Sequence, residues 1–180
     1  MKRRYWLVIV LAMAIASTAW AQEPAVVRAT AFVLVDSAGK ERAALRMTPN
    51  GPELAMLSEQ GKTLIEMAVF EDATWLLLYD AQGRGRIRLG MFEDGPTLAF
   101  RDEQGKTRIG IEIFRNMPTL VLYDSQGKSR VRLDVFMNEP AFNMFDGQGN
   151  TRIGQGVSEE RTYFAVYDGK GKLIWGGLQK

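Results

Sequence analysis

Asp36, Ser58, Asp80, Asp102, Asp124, Asp146 and Asp168 stand 22 residues apart, and a glycine follows three residues after each, from Gly39 to Gly171. The residue after that glycine is basic in six of the seven places and Asn150 in the other. A period held through seven copies without insertion or deletion signals an array in which each unit meets chiefly its neighbours. Complete units start at residues 36, 58, 80, 102, 124 and 146; a half unit over 25–35 precedes them and another, 168–180, follows.

Numbered from the Asp of each unit, positions 8, 10, 12, 19 and 21 hold thirty residues in the six complete copies, and twenty-nine are apolar. Gln155 is the exception; Ile87, Leu89, Met91, Leu98 and Phe100 form a representative set. The interleaved positions 7, 9 and 11 hold eighteen residues, of which only Ala44, Leu64 and Ala68 are apolar. This two-residue period belongs to strands, and no helical spacing reproduces it. Each unit therefore supplies a longer strand over positions 5–13 and a shorter one over 18–22, with the aliphatic columns expected to form a buried face. Only the sixth unit weakens the pattern, with Gly154-Gln155-Gly156 at a strand centre, where fraying is expected.

The connections are readable too. In Asp-x-x-Gly the carboxylate can accept from backbone N–H groups two and three residues on, and the glycine takes the left-handed conformation. A four-residue hairpin loop places Tyr79 opposite Arg84, Leu78 opposite Gly85 and Leu76 opposite Ile87, which keeps the apolar positions together. The second connection reads Asn50-Gly51-Pro52, Asp94-Gly95-Pro96, Asn116-Met117-Pro118 and Asn138-Glu139-Pro140, turn chemistry with proline at a strand edge. Hairpin centres then alternate 13 and 9 residues apart, a shift of four residues per unit. The expected fold is all-β: an antiparallel array of 22-residue β-hairpin repeats in a spiral or solenoid-like sheet. A parallel β-solenoid with two strands per coil is the alternative.

The chain opens on Lys2, Arg3 and Arg4, an apolar run from Tyr5 to Ala16, and Ala19-Trp20-Ala21. This arrangement predicts a signal peptide over 1–21, cleaved before Gln22, and an exported protein, periplasmic or extracellular. The twelve-residue run is shorter than the roughly 20 residues a membrane-spanning helix needs, and no later segment is long or apolar enough. The mature domain would cover residues 22–180. The precursor carries 23 Lys+Arg against 21 Asp+Glu, three of the bases lie in the leader, and the remainder has 20 against 21. That balance gives no footprint for nucleic acid. The chain has no Cys, so burial and backbone pairing must hold it together.

Tyr79-Asp80-Ala81-Gln82-Gly83-Arg84, Tyr123-Asp124-Ser125-Gln126-Gly127-Lys128 and Tyr167-Asp168-Gly169-Lys170-Gly171-Lys172 resemble the core of the YD repeats of bacterial Rhs-type proteins. The layout of aromatic-rich strand, turn and second strand is also similar to choline-binding-type wall repeats. Both resemblances imply β-hairpin spirals and cover about six residues in each 22. Arg101 and Leu57 depart from the tyrosine position, and the Gly-Trp pairs of wall-binding repeats are absent, so no ligand residue is carried over.

Two columns are candidates for partner binding. Position 7 carries Arg86, Arg108, Arg130 and Arg152, a guanidinium stripe able to grip carboxylates or an acidic glycan. Trp75, Tyr79, Tyr123 and Tyr167 form aromatic rows that can stack on sugar rings or cover the sheet as cross-strand pairs. A turn offering one Asp beside a basic residue lacks the converging oxygens of a calcium site. With neither His nor Cys, the chain lacks the commonest general base and the thiol nucleophile. No metal, cofactor or catalytic set is assigned. The expectation is a non-enzymatic structural or protein-binding module of the cell envelope or secretome, its partner an envelope protein or a glycan. The alternative is a carbohydrate- or wall-binding module using the two columns.

Overall fold

The computed structural model describes residues 26–179, so the expected leader lies outside the described residues. Fourteen strands follow one another: β1 (Ala31–Val35), β2 (Glu41–Thr48), β3 (Gly51–Leu57), β4 (Thr63–Val69), β5 (Thr74–Tyr79), β6 (Gly85–Phe92) and β7 (Gly95–Arg101) make the first half. The second half is β8 (Thr107–Phe114), β9 (Met117–Tyr123), β10 (Ser129–Phe136), β11 (Glu139–Phe145), β12 (Thr151–Val157), β13 (Thr162–Tyr167) and β14 (Leu173–Gln179). They pair strictly in chain order as one unclosed antiparallel sheet. The all-β hairpin array is thus the observed architecture, and the parallel solenoid is excluded because every ladder is antiparallel. Through Gly154-Gln155-Gly156 the strand β12 is continuous, paired on both sides.

The Asp turns are tighter than a four-residue loop. The Asp80 N–H donates to the Arg84 carbonyl at 3.0 Å, and the Gly83 N–H donates to the Asp80 carbonyl at 2.9 Å. The tip is therefore the three residues Ala81–Gly83, closed by Gly83 at φ +83°. The Asp80 carboxylate accepts from N–H groups two and four residues on, at Gln82 and Arg84, rather than two and three. The N–H three residues on is already engaged by the Asp80 backbone. A second irregularity follows: Tyr79 pairs with Gly85 and Leu78 with Ile87, leaving Arg86 without an opposite residue. The expected register is thus corrected by two residues, and Leu76 meets Leu89 instead of Ile87. An even correction leaves the apolar columns on one face, which is why the alternation concealed the bulge.

The correction also removes the expected stagger. Leu76 pairs with Leu89, Leu89 with Leu98, Leu98 with Ile111 and Ile111 with Leu120. Residues 22 apart consequently lie straight across the sheet. The bulge moves each Asp-turn centre until successive hairpin centres are evenly eleven residues apart, so register supplies no spiral. The other connections have two-residue tips, and in two of them, Arg115-Asn116 and Met137-Asn138, both tip residues lie at positive φ, the turn whose twist matches that of the flanking strands. Proline beside these tips shortens the next ladder. Thr74 pairs with Met91, but at the equivalent place Pro96 does not pair, and the ladder to β8 begins at Thr97. The missing N–H accounts for the lost rung.

Burial reverses the expected inside and outside. Ala44, Ala55, Ala68, Ala99, Val121 and Ala165 are buried, and all occupy positions 9, 11 or 20, on the face opposite the aliphatic columns. On the aliphatic face Leu89 is 51% exposed, Met91 56% and Ile111 45%. Both strands of every unit present their aliphatic residues to the same side of a single layer, and among the described residues no second layer lies over it. On the opposite face small residues lie beneath long side chains. Added side chains at Gly90 and Gly156 would run into the rings of Phe92 and Tyr163, and one at Gly110 would touch Tyr123. The glycines are seats for aromatic rings.

Candidate functional site

The aromatic candidates sit on this small-residue face. Glu66 accepts from Trp75 Nε1 at 3.1 Å and from the Tyr79 hydroxyl at 2.8 Å, while Trp75 packs on Phe70 with centroids 4.3 Å apart. Burial, then the Glu66 hydrogen bond and charge, push the Tyr79 hydroxyl up to about 12. Tyr123 is also raised, by burial and then Glu112, with Arg132 opposing. The half-buried Tyr167 gives its carbonyl to Arg152 Nε at 2.8 Å. Arg88 lies over the Phe92 ring at 4.9 Å and Arg132 over Phe145 at 5.9 Å. Rings, stems and a bridging carboxylate form a continuous skin over the alanines and glycines.

The arginine column occupies the bulges. Arg86 Nε donates to the Arg101 carbonyl at 2.9 Å and its Nη1 to Asp80 Oδ2 at 3.2 Å. Arg108 and Arg130 repeat the arrangement, donating to the Tyr123 and Phe145 carbonyls at 3.0 and 3.3 Å. They pair with Asp102 and Asp124 at 3.5 and 3.2 Å, and Arg152 does so with Asp146 at 3.9 Å. Each guanidinium thus joins its own turn carboxylate to the carbonyl of the strand end fifteen residues on. Partial desolvation works to raise the Asp80 carboxyl, but bonds from the Arg84 and Gln82 N–H groups and the Arg84 and Arg86 guanidiniums hold it at about 2. Asp124 and Asp168 are lowered chiefly by the N–H groups of Lys128 and Lys172. Asp102 and Asp146 are lowered against desolvation, their largest single influence, by hydrogen bonds led by Lys106 and Asn150 respectively.

The basic residue closing each turn ties successive units. Lys40, Lys62, Lys106 and Lys128 donate Nζ to the carbonyls of Glu59, Ala81, Ser125 and Gly147, each nineteen residues ahead, and Arg84 does the same to Glu103. Asn150 is shorter and turns to Asp146 instead. The structure therefore makes the four arginines, Trp75 and Tyr79 internal fastenings of the array, while the Tyr123 and Tyr167 side chains lie half-buried on it. Arg86, Arg108, Arg130 and Arg152 keep 35–42% of their side-chain surface exposed.

The surface that sequence reasoning placed inside is the aliphatic face. Its columns run from Phe32 and Leu34 on β1 to Phe164 on β13 and Trp175 on β14, interrupted only at Gln155 on β12 among the five positions of the complete units, and Phe164 and Trp175 pack edge to face at 5.3 Å. Between positions 8, 10, 12, 19 and 21 it carries no charged side chain. The signal for its exposure was present: the opposite columns are mostly Ala, Gly, acidic, Arg and aromatic residues, with only Leu57, Leu64, Leu77 and Val121 as large aliphatics, and no part of the repeat supplies a second apolar layer. Concavities are shallow by comparison, among them a depression of about 640 Å³ between the tips carrying Arg115 and Met137. No helix among the described residues is long and apolar enough to cross a membrane. The chain matches no model of a known protein family and none of the curated proteins.

Proposed function

We propose that this is an exported, non-enzymatic β-repeat protein, a structural or protein-binding module of the cell envelope or secretome whose aliphatic face is the working surface. The observation that carries the reading is that face: uncharged, uncovered among the described residues, and extending from β1 to β14. Export rests on the basic start, the short apolar run and Ala19-Trp20-Ala21. The alternative use of the arginine and aromatic columns for a glycan has less free chemistry behind it. The four guanidiniums already hold turn carboxylates and strand carbonyls, and the Trp75 indole and Tyr79 phenol hold Glu66. A photo-cross-linking amino acid at Leu89 is expected to trap protein in the producing cells, and one at Gln104, on an Asp-turn tip, is not. Retention on isolated wall polysaccharide together with no adduct from Leu89 would reject the reading in favour of the glycan module.

A further inference from the structure

The working surface proposed above needs an occupant, and we infer that it is a second copy of this chain, stacked face to face with its strands running oppositely. Area is the first argument. With strands about 4.8 Å apart and a rise of about 3.4 Å per residue, the aliphatic band is on the order of 60 Å long and 15 Å wide. That is roughly 900 Å² in plan, against about 800 Å² per partner in an ordinary stable interface. The same band is narrow for lipid: outer-membrane barrels present an apolar belt about 25 Å tall. Two aliphatic faces at a separation of about 10 Å reproduce the core of a β-sandwich.

Charge selects the orientation. The ends of the sheet that carry the Asp turns, residues 35–42 and each equivalent stretch 22 residues on, hold thirteen Lys+Arg against nine Asp+Glu. The opposite ends, residues 48–52 and their equivalents through 158–162, hold seven acids, Glu71, Asp72, Glu93 and Asp94 among them, against Arg115 and Arg161 alone. A two-fold axis along the strands would set like ends together. An axis across the strands sets the basic end of each copy over the acidic end of the other, strand over equivalent strand. Such an interface is isologous and closes as a dimer.

Sedimentation velocity on the purified protein is expected to give a dimer, and Leu89→Lys with Ile111→Lys a monomer with an unchanged β circular dichroism spectrum. The chain has no cysteine, so orientation can be read with a short bismaleimide. A mixture of Asp94→Cys and Gln104→Cys proteins is expected to cross-link at least tenfold more than Gln104→Cys alone. A monomeric parent, or a dimer unaffected by the two lysines, would overturn the inference. Equal cross-linking by Gln104→Cys alone would overturn the orientation. A monomeric parent whose Leu89 photo-adduct in cells is a different protein would remove the second copy while leaving the proposed function standing. A monomer that floats with phosphatidylethanolamine–phosphatidylglycerol vesicles and gives no Leu89 adduct would remove both.

Discussion

In the four units from Asp80 to Asp146 the Asp at position 1 and the Arg at position 7 behave as one interaction written in two columns. Where Ser58 replaces the aspartate, Leu64 replaces the arginine, so the unit lacking the turn carboxylate also lacks its guanidinium. Ser58 still accepts from the Lys62 N–H through its hydroxyl at 3.1 Å, enough to close the turn without a charge. In the five turns from Asp80 to Asp168 these bonds favour the ionised carboxylate, which gives a pH dependence of definite sign. Asp80 sits at about 2 in the fold against 3.8 for the free group, and Asp102, Asp124, Asp146 and Asp168 are lowered too. A depressed folded-state pKa means that the unfolded chain binds protons first on acidification. The stability from these turns is therefore fully present above about pH 4 and drains away as pH falls toward 2. Urea midpoints at pH 7, 4 and 2.5 are expected to be similar for the first two and clearly lower for the third. Asp80→Asn should flatten part of that fall, and a midpoint unchanged down to pH 2.5 would mean that the turn carboxylates contribute nothing.

At the level of the element, the two kinds of hairpin tip tolerate change differently. Gly105 has φ +78° with nothing near a hypothetical side chain, so Gly105→Ala meets only the left-handed backbone penalty, about 1 kcal/mol. Gly95 has φ +127°, and a methyl group there would overlap the Ile113 carbonyl on the neighbouring unit. Gly95→Ala should thus cost more, at least about 2 kcal/mol, read as the difference between the two urea midpoints. Strands and turns like these were legible in the sequence because alternation and Asp-x-x-Gly are local signals. The bulge at Arg86 was not, since an even register error leaves every residue on its correct face. Nor was the acceptor of the Arg86 guanidinium, the Arg101 carbonyl fifteen residues away across a strand pair that only the true register brings near. Glu66 as the group joining Trp75 to Tyr79 gave no signal of its own in the sequence. Which face is buried was misread for a different reason: alternation says that two faces differ, whereas covering one of them depends on whether a second layer exists.

The whole molecule is held together one neighbour at a time. Each strand contacts only the strands before and after it, and the side-chain ties from turn to turn also reach only one unit ahead. Units 22 residues apart are in straight register, so removal of Asp102–Tyr123 joins Arg101 to Asp124 and sets β7 against β10 through a turn of the same kind. The aliphatic columns stay on one face, and Arg130 finds Asp124 as before. The shortened chain is expected to fold cooperatively, with a β circular dichroism spectrum and a urea m-value smaller by about one seventh, since m follows the surface exposed on unfolding. Removal of the eleven residues Asp102–Glu112 is different. It takes away a turn and most of a long strand, joins Arg101 directly to Ile113, and leaves β7 to run on without a hairpin. That chain cannot keep both the antiparallel order and the face assignment of the strands that follow, and it should lose cooperative unfolding. If the two deletions were equally harmful, interactions reaching beyond the nearest unit would have to hold the sheet, and a linear array of 22-residue units would be the wrong description of how its stability is distributed.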